Sequence, residues 1–192
     1  MSPVVAHAVV WLPTAALVAY AMDLWAALLH GRVWHGRLWS IHRSHHEPRR
    51  GALELNDWLS LLHAPFAIAL ILYGCAAEPG VRRELAFGVG VGMTAFGLAY
   101  LVVHDGLVHG RLPVPGLSRW RWLRRIASAH RVHHTGRAAG APYGLFTGPR
   151  ELERAVRLAR AGRPARITAP PARASSSRET DPNGPRGRAP VP

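Results

Sequence analysis

Residues 85–109 read LAFGVGVGMTAFGLAYLVVHDGLVH, nineteen residues without a charge and then, at once, two histidines around an aspartate. A helix of ~20 mostly apolar residues is long enough to cross the hydrocarbon layer of a bilayer. Gly88, Gly90 and Gly92 would weaken a helix in water, whereas in lipid small residues let helices approach closely. The stretch therefore reads as a membrane helix that ends on a histidine pair. Two more runs match it. Residues 3–29 hold no arginine, and residues 57–77 carry one acid, at their first position. Ala19-Tyr20-Ala21 has the form of a signal cleavage site, but no basic segment precedes it and the apolar run continues, so a retained helix is expected.

Three crossings place every histidine motif at one end of the bundle. The first helix ends at Leu29, directly before His30; the second leaves from Asp57; the third returns at Val103, directly before His104. Residues 111–129 are too rich in arginine to cross. The expected fold is all-α: three membrane helices, with a fourth, shallow or split, allowed by the pattern, and a histidine-rich helical cap. The net charge of +13 comes entirely from arginine. Residues 1–31 contain none, the 78–84 link contains Arg82 and Arg83, and the rest lie in 30–56 and beyond 110. By the positive-inside rule the histidine face is then cytoplasmic. The single cysteine, Cys75, permits no intrachain disulfide, and thiolate metal chemistry is not expected.

Ten of the twelve histidines form four clusters. His30 and His35 make HxxxxH, and His42, His45 and His46 make HxxHH; His104 and His109, then His130, His133 and His134, repeat both patterns in the same order. One HxxHH would arise by chance in roughly 0.05 of chains with this histidine content, so two copies are a strong signal. On a helix, positions i, i+3 and i+4 share a face, so each HxxHH is expected to converge on one metal. A spacing of five is different, turning about 140° on an ideal α-helix. His30 and His35 would not share a face unless the helix distorts, and Gly31 and Gly106 make distortion possible. Ten imidazoles exceed what one ion can take and suit two. Imidazole sites accept zinc, copper, iron or nickel. Asp23, Asp57 and Asp105 are the candidate acids to orient ring N–H groups, with Glu47 and Glu54 nearby. His7 and His63 stand outside the pattern.

The order HxxxxH, HxxHH, HxxxxH, HxxHH resembles the fatty acid hydroxylase superfamily of membrane di-iron oxygenases. The surrounding residues, Met22-Asp23 before His30, HRSHHEP at 42–48, ELND at 54–57, HDGLVHGR at 104–111 and AHRVHH at 129–134, resemble the bacterial β-carotene hydroxylases within it. The resemblance runs from about residue 15 to 160. It implies that all ten motif histidines ligate two non-haem iron ions, that O₂ is the co-substrate, and that electrons come from NAD(P)H through ferredoxin and its reductase. It also implies a monooxygenase that inserts a hydroxyl at C3 of each β-ionone ring, giving β-cryptoxanthin and then zeaxanthin. A carotenoid dissolved in the bilayer fits a site at the membrane surface, and an unactivated C–H bond is beyond any carboxylate base. Asp23 stands where that family usually has Glu.

Competing readings are other reactions of the superfamily, on sterols, acyl chains or C4 of carotenoids, and a membrane metal transporter. Transport needs ligands at bilayer depth, whereas this array begins where hydrophobicity stops. The expected domains are a membrane hydroxylase unit over 1–160 and a disordered Arg-, Pro- and Ser-rich tail over 161–192. Residues 151–160 read as a basic helix on the anionic inner leaflet. No nucleic-acid partner is expected.

Overall fold

The computed structural model describes residues 3–48, 51, 53–135 and 141–162, and regular structure among them is entirely helical. The tail beyond Gly162 lies outside these residues, as does the side chain of His7. In chain order the elements are α1 (Pro3–Leu29), a π-helical segment (His30–Arg37), α2 (Trp39–His46), α3 (Leu55–Leu61), α4 (Ala64–Ala76), α5 (Val81–Tyr100), a second π-helical segment (Leu101–Val108), a 3₁₀ turn (Leu117–Arg119), α6 (Arg121–His134) and α7 (Gly148–Arg160).

Three continuous stretches are long and apolar enough to cross a membrane: Ala8–Arg37, Leu55–Ala76 and Val81–Val108. Leu17, Phe66, Leu72 and Leu98 on them each expose more than half of their surface. Such apolar exposure is costly in water and natural in lipid. The stretches differ from the sequence reading in two ways. The first and third do not stop at the histidines but carry them, through π-helical ends. The second is broken at Leu62-His63, because Pro65 has no N–H to donate and its ring would collide with the Leu61 carbonyl in a continuous helix. His63, at the break, accepts a hydrogen bond from the Trp25 indole at 3.0 Å.

α5 is the central helix, packed between α1 and α4. The glycine run makes both contacts possible. Gly88 and Gly92, four residues apart and so on one face, meet α1: a Cβ on Gly92 would lie 2.5 Å from the Ala15 carbonyl oxygen. Gly90, on the opposite face, meets α4, where a Cβ would lie 2.9 Å from the Ala67 carbonyl oxygen. With α1 and α5 in register and parallel, their two histidine-bearing ends arrive together.

α6 closes that end. Its apolar face contributes Leu123 and Ile126 to a core with Val103 and Leu145, flanked by Tyr100, Leu107, Leu117 and Phe146. The stripe that buries these residues also buries His130 and His133 one turn on.

Candidate metal centre

The five-residue histidine spacing is resolved by the backbone. A π-helix bonds i to i+5, so residues five apart come to one side. The Leu38 N–H donates to the Val33 carbonyl at 2.9 Å, and the His109 N–H to the His104 carbonyl at 3.0 Å. The His30 and His35 ring centroids are consequently 5.1 Å apart, and those of His104 and His109 4.6 Å. Gly31 and Gly106 matter for a reason other than distortion, since neither has a positive φ. A Cβ on Gly31 would come within 3.0 Å of the Tyr143 ring, and one on Gly106 within 2.8 Å of Val114. Both glycines let a neighbouring loop close over the histidines.

The ten motif histidines gather into two adjoining groups. His30, His35, His42, His46 and His133 bring one nitrogen each within 4.8 Å of one another, and so do His45, His109, His130 and His134. His104 joins the second group, with its Nε2 3.1 Å from that of His45. The groups touch: the His46 and His134 rings are 4.5 Å apart.

This division corrects the expectation that each HxxHH serves one metal. On α2, His42 and His46 belong to the first group and His45 to the second; on α6, His130 and His134 belong to the second and His133 to the first. The physical reason is angular. At 3.6 residues per turn, His45 and His46 lie about 100° apart, enough to aim them at neighbouring centres once α2 and α6 flank both. Each half of the chain lends its middle HxxHH histidine to the other.

Tautomers show that the groups fit a cation. The His30 Nδ1–H donates to the Tyr143 carbonyl at 2.9 Å, that of His42 to Asn56 Oδ1 at 2.7 Å, that of His45 to Glu54 Oε2 at 3.3 Å, and that of His104 to Asp105 Oδ1 at 3.0 Å. None of these oxygens carries a proton to give, so the ring proton sits on Nδ1 and Nε2 is a bare lone pair. Yet the Nε2 atoms of His30 and His42 face each other at 3.0 Å, and those of His45 and His104 at 3.1 Å. Lone pairs aimed at one another repel unless a positive ion lies beside both. His109 Nε2, buried with no hydrogen-bond partner, points to the same conclusion. Burial first, and then repulsion from neighbouring imidazoles, pushes His46 down to about 2, His109 to about 3 and His134 to about 4. At neutral pH these rings are uncharged, which is the form that ligates. A donor set of imidazoles alone, closed off by acidic and amide acceptors, suits iron or zinc and excludes calcium or magnesium.

Of the three candidate aspartates only Asp105 touches a motif histidine, and the nearby Glu54 touches His45. Asp57 lies one layer further out: its carboxylate grips Arg111 through two bonds of 2.7 and 2.6 Å and accepts the Glu54 N–H at 2.9 Å. Arg111 reaches Asp105 at 3.5 Å, so Asp57 acts on His104 only through that chain. Asp23 contacts no motif histidine. It is 3% exposed and accepts three backbone N–H groups, from Leu145 and Phe146 at 3.1 Å each and Thr147 at 2.8 Å. That holds the strap whose Tyr143 carbonyl orients His30. Glu151 tethers the same strap, accepting from the Tyr143 and Gly144 N–H groups. Asn56 and the Tyr143 carbonyl were not anticipated. The Glu54-x-x-Asp57 spacing, which forms a capping box at the start of α3, was the one local sign that this segment is rigid enough to orient ligands.

A family model described as fatty acid hydroxylase matches residues 15–149. "Beta-carotene 3-hydroxylase 2, chloroplastic" of Arabidopsis thaliana is 49% identical over 135 residues, 70% of this chain and 44% of that protein. "Beta-carotene 3-hydroxylase, chloroplastic" of Haematococcus lacustris is 39% identical over 137 residues, 70% of this chain and 42% of that protein. "Beta-carotene hydroxylase" of Pantoea ananas is 40% identical over 130 residues, 67% of this chain and 71% of that protein. The chain thus spans well under half the length of the chloroplast relatives. No solved structure matches it.

Proposed function

The chain belongs to the fatty acid hydroxylase family, and from that membership we propose that it is a β-carotene 3-hydroxylase that uses two iron ions and O₂. The product of the first turnover is β-cryptoxanthin and of the second zeaxanthin. The observation that carries the reading is the paired histidine groups at one end of a membrane-capable bundle, in a chain similar to β-carotene hydroxylases from both plants and a bacterium.

Bound iron would supply what no side chain offers, the activation of O₂ for attack on an unactivated C–H bond. The protein's own tasks follow from its geometry. His30, His35, His42, His46 and His133 would hold one ion, and His45, His104, His109, His130 and His134 the other. Tyr143, Asn56, Glu54 and Asp105 lock four of these rings in the ligating tautomer. Burial of His30, His42, His45, His104, His130 and His133 keeps water from the centre and so limits side reactions. Placement of the ring then selects C3 over the weaker allylic C4–H bond.

Reducing equivalents are assigned to ferredoxin and its NAD(P)H-dependent reductase. The arginines at 32, 37 and 43 and along α6 and α7 are on the histidine side of the bundle, which supports a cytoplasmic centre in a multi-pass protein of the bacterial inner membrane.

Expression in a bacterial host that accumulates β-carotene tests the assignment. Chromatography should show zeaxanthin, with β-cryptoxanthin as the intermediate. Unchanged β-carotene despite iron-loaded protein in the membrane would overturn it, and a 4-keto product would convert it to ketolation.

A further inference from the structure

A cavity of about 550 Å³ opens between α1, α5, α6 and the start of α7. Its breadth comes from three small residues, Ala19, Ala95 and Ala99, and its walls from the rings of Phe96, Trp122 and Phe146. Trp122 and Phe146 lie almost parallel, 15° apart in plane with centroids 6.0 Å apart, and Phe96 meets Phe146 edge-on at 6.2 Å. The alanines belong to the membrane-capable stretches Ala8–Arg37 and Val81–Val108, so this side is reached from lipid. The far rim is charged, formed by the Arg125–Glu153 ion pair of α6 and α7.

Two walls of the cavity end on the metal centre. Along α5, Phe96 contacts Tyr100 at 5.8 Å, and Tyr100 stacks on His104 of the second group at 4.5 Å. On the other side Asp23, which also lines the cavity, holds the Leu145–Thr147 backbone. Two residues earlier in that strap, the Tyr143 ring lies against His30, His35 and His133 of the first group. The cavity is thus one residue removed from each histidine group, through Tyr100 on one side and the Tyr143 strap on the other.

We propose that this cavity receives the terminal ring of the carotenoid, entering sideways from the bilayer, and that Ala95 and Ala99 set the width of ring accepted. The proposal rests on the β-carotene reading above. A bulky cyclic end group suits a broad cavity with an aromatic wall of stacked Trp122 and Phe146 and an alanine floor, whereas a linear acyl chain would need only a narrow tube. The competing occupant is a phospholipid, with its chain on the alanines and its phosphate at the Arg125 rim.

The test uses full-length protein in phosphatidylcholine nanodiscs. β-Carotene is achiral, so visible circular dichroism appears only when a chiral site holds it. Wild type should give that signal, and Ala99→Phe should weaken the apparent affinity by about tenfold or more, since a filled cavity cannot repack around a ring. Leu98→Phe, an exposed neighbour outside the cavity, should bind as wild type. Metal content should be the same in all three, and Ala95→Phe repeats the test if Ala99→Phe does not accumulate. Equal binding by wild type and both alanine variants would overturn the proposal, as would loss of a co-purifying phospholipid from Ala99→Phe with the carotenoid signal unchanged. Alanine-sensitive binding without any hydroxylated product would instead overturn the reaction assigned above and leave the cavity's role standing.

Discussion

Replacing His133 with alanine is expected to empty the metal position served by His30, His35, His42 and His46, not the one served by its own neighbours on α6. Bound iron should fall from about two ions per chain to about one, because an all-imidazole site that loses a ligand loses its ion first. Hydroxylation should drop by about a thousandfold or more, since the remaining groups offer no other route to an unactivated C–H bond. His45→Ala should do the same to the other position. Combination separates the two: His133→Ala with His42→Ala should still retain about one ion, while His133→Ala with His45→Ala should retain none. Mutations within one site overlap and mutations in different sites add. Iron analysis of the four purified variants reads the pattern directly.

That pattern marks how far the sequence alone could go. The three apolar stretches were legible from the absence of charge, and the role of the glycine run in close helix contact was legible from residue size. The spacing of five was legible as an anomaly: His30 and His35 cannot share a face of an α-helix, and the π-helical turns are the backbone's answer. Which histidine serves which ion was not legible. It depends on how α2 and α6 are rotated against each other, a tertiary property that no periodicity within either helix records. The break before Pro65 could have been anticipated from the proline, but an apolar run hides it. Asn56 sat inside the motif ELND without a charge to draw attention, and the Tyr143 carbonyl is a backbone group with no side-chain signature at all.

The second large effect is expected at Asp23. Its carboxylate accepts three adjacent backbone N–H groups in a site that is 3% exposed. Removing a buried acceptor leaves each donor with a desolvation cost of ~1–3 kcal/mol. Asp23→Ala should therefore lower stability by about 3 kcal/mol or more and release the 143–147 strap. His30 then loses the carbonyl that fixes its tautomer, and iron affinity of the first position should fall ~10–100-fold. The position built around His45 and His104 should hold its ion, because its outer partners Glu54 and Asp105 do not depend on the strap. Asp23→Asn should fall between the two. It keeps an oxygen for Leu145 and Phe146 but turns an amide N–H₂ towards the Thr147 N–H, donor against donor. Thermal unfolding and iron titration of the three proteins check both the order and the selectivity.

Asp23 also shows why proximity in sequence misleads about role. At seven residues before His30 it lies on about the same face of the helix, which suggests contact with a ligand. Two helical turns instead separate it from the histidines, and its influence passes through the backbone of a strap more than a hundred residues away. Asp57 acts at a similar remove, through Arg111 and the capping box of α3. Most of these acids build the frame; among the described residues, Glu54 and Asp105 are the acids that touch the ligands.

Anomalous diffraction at the iron edge from crystals of the iron-loaded protein tests the crossed arrangement most directly. Two peaks per chain should appear, one bonded to His133 together with His42 and His46, the other bonded to His45 together with His130 and His134. A single peak, or one peak bonded to His42, His45 and His46 together, would contradict it.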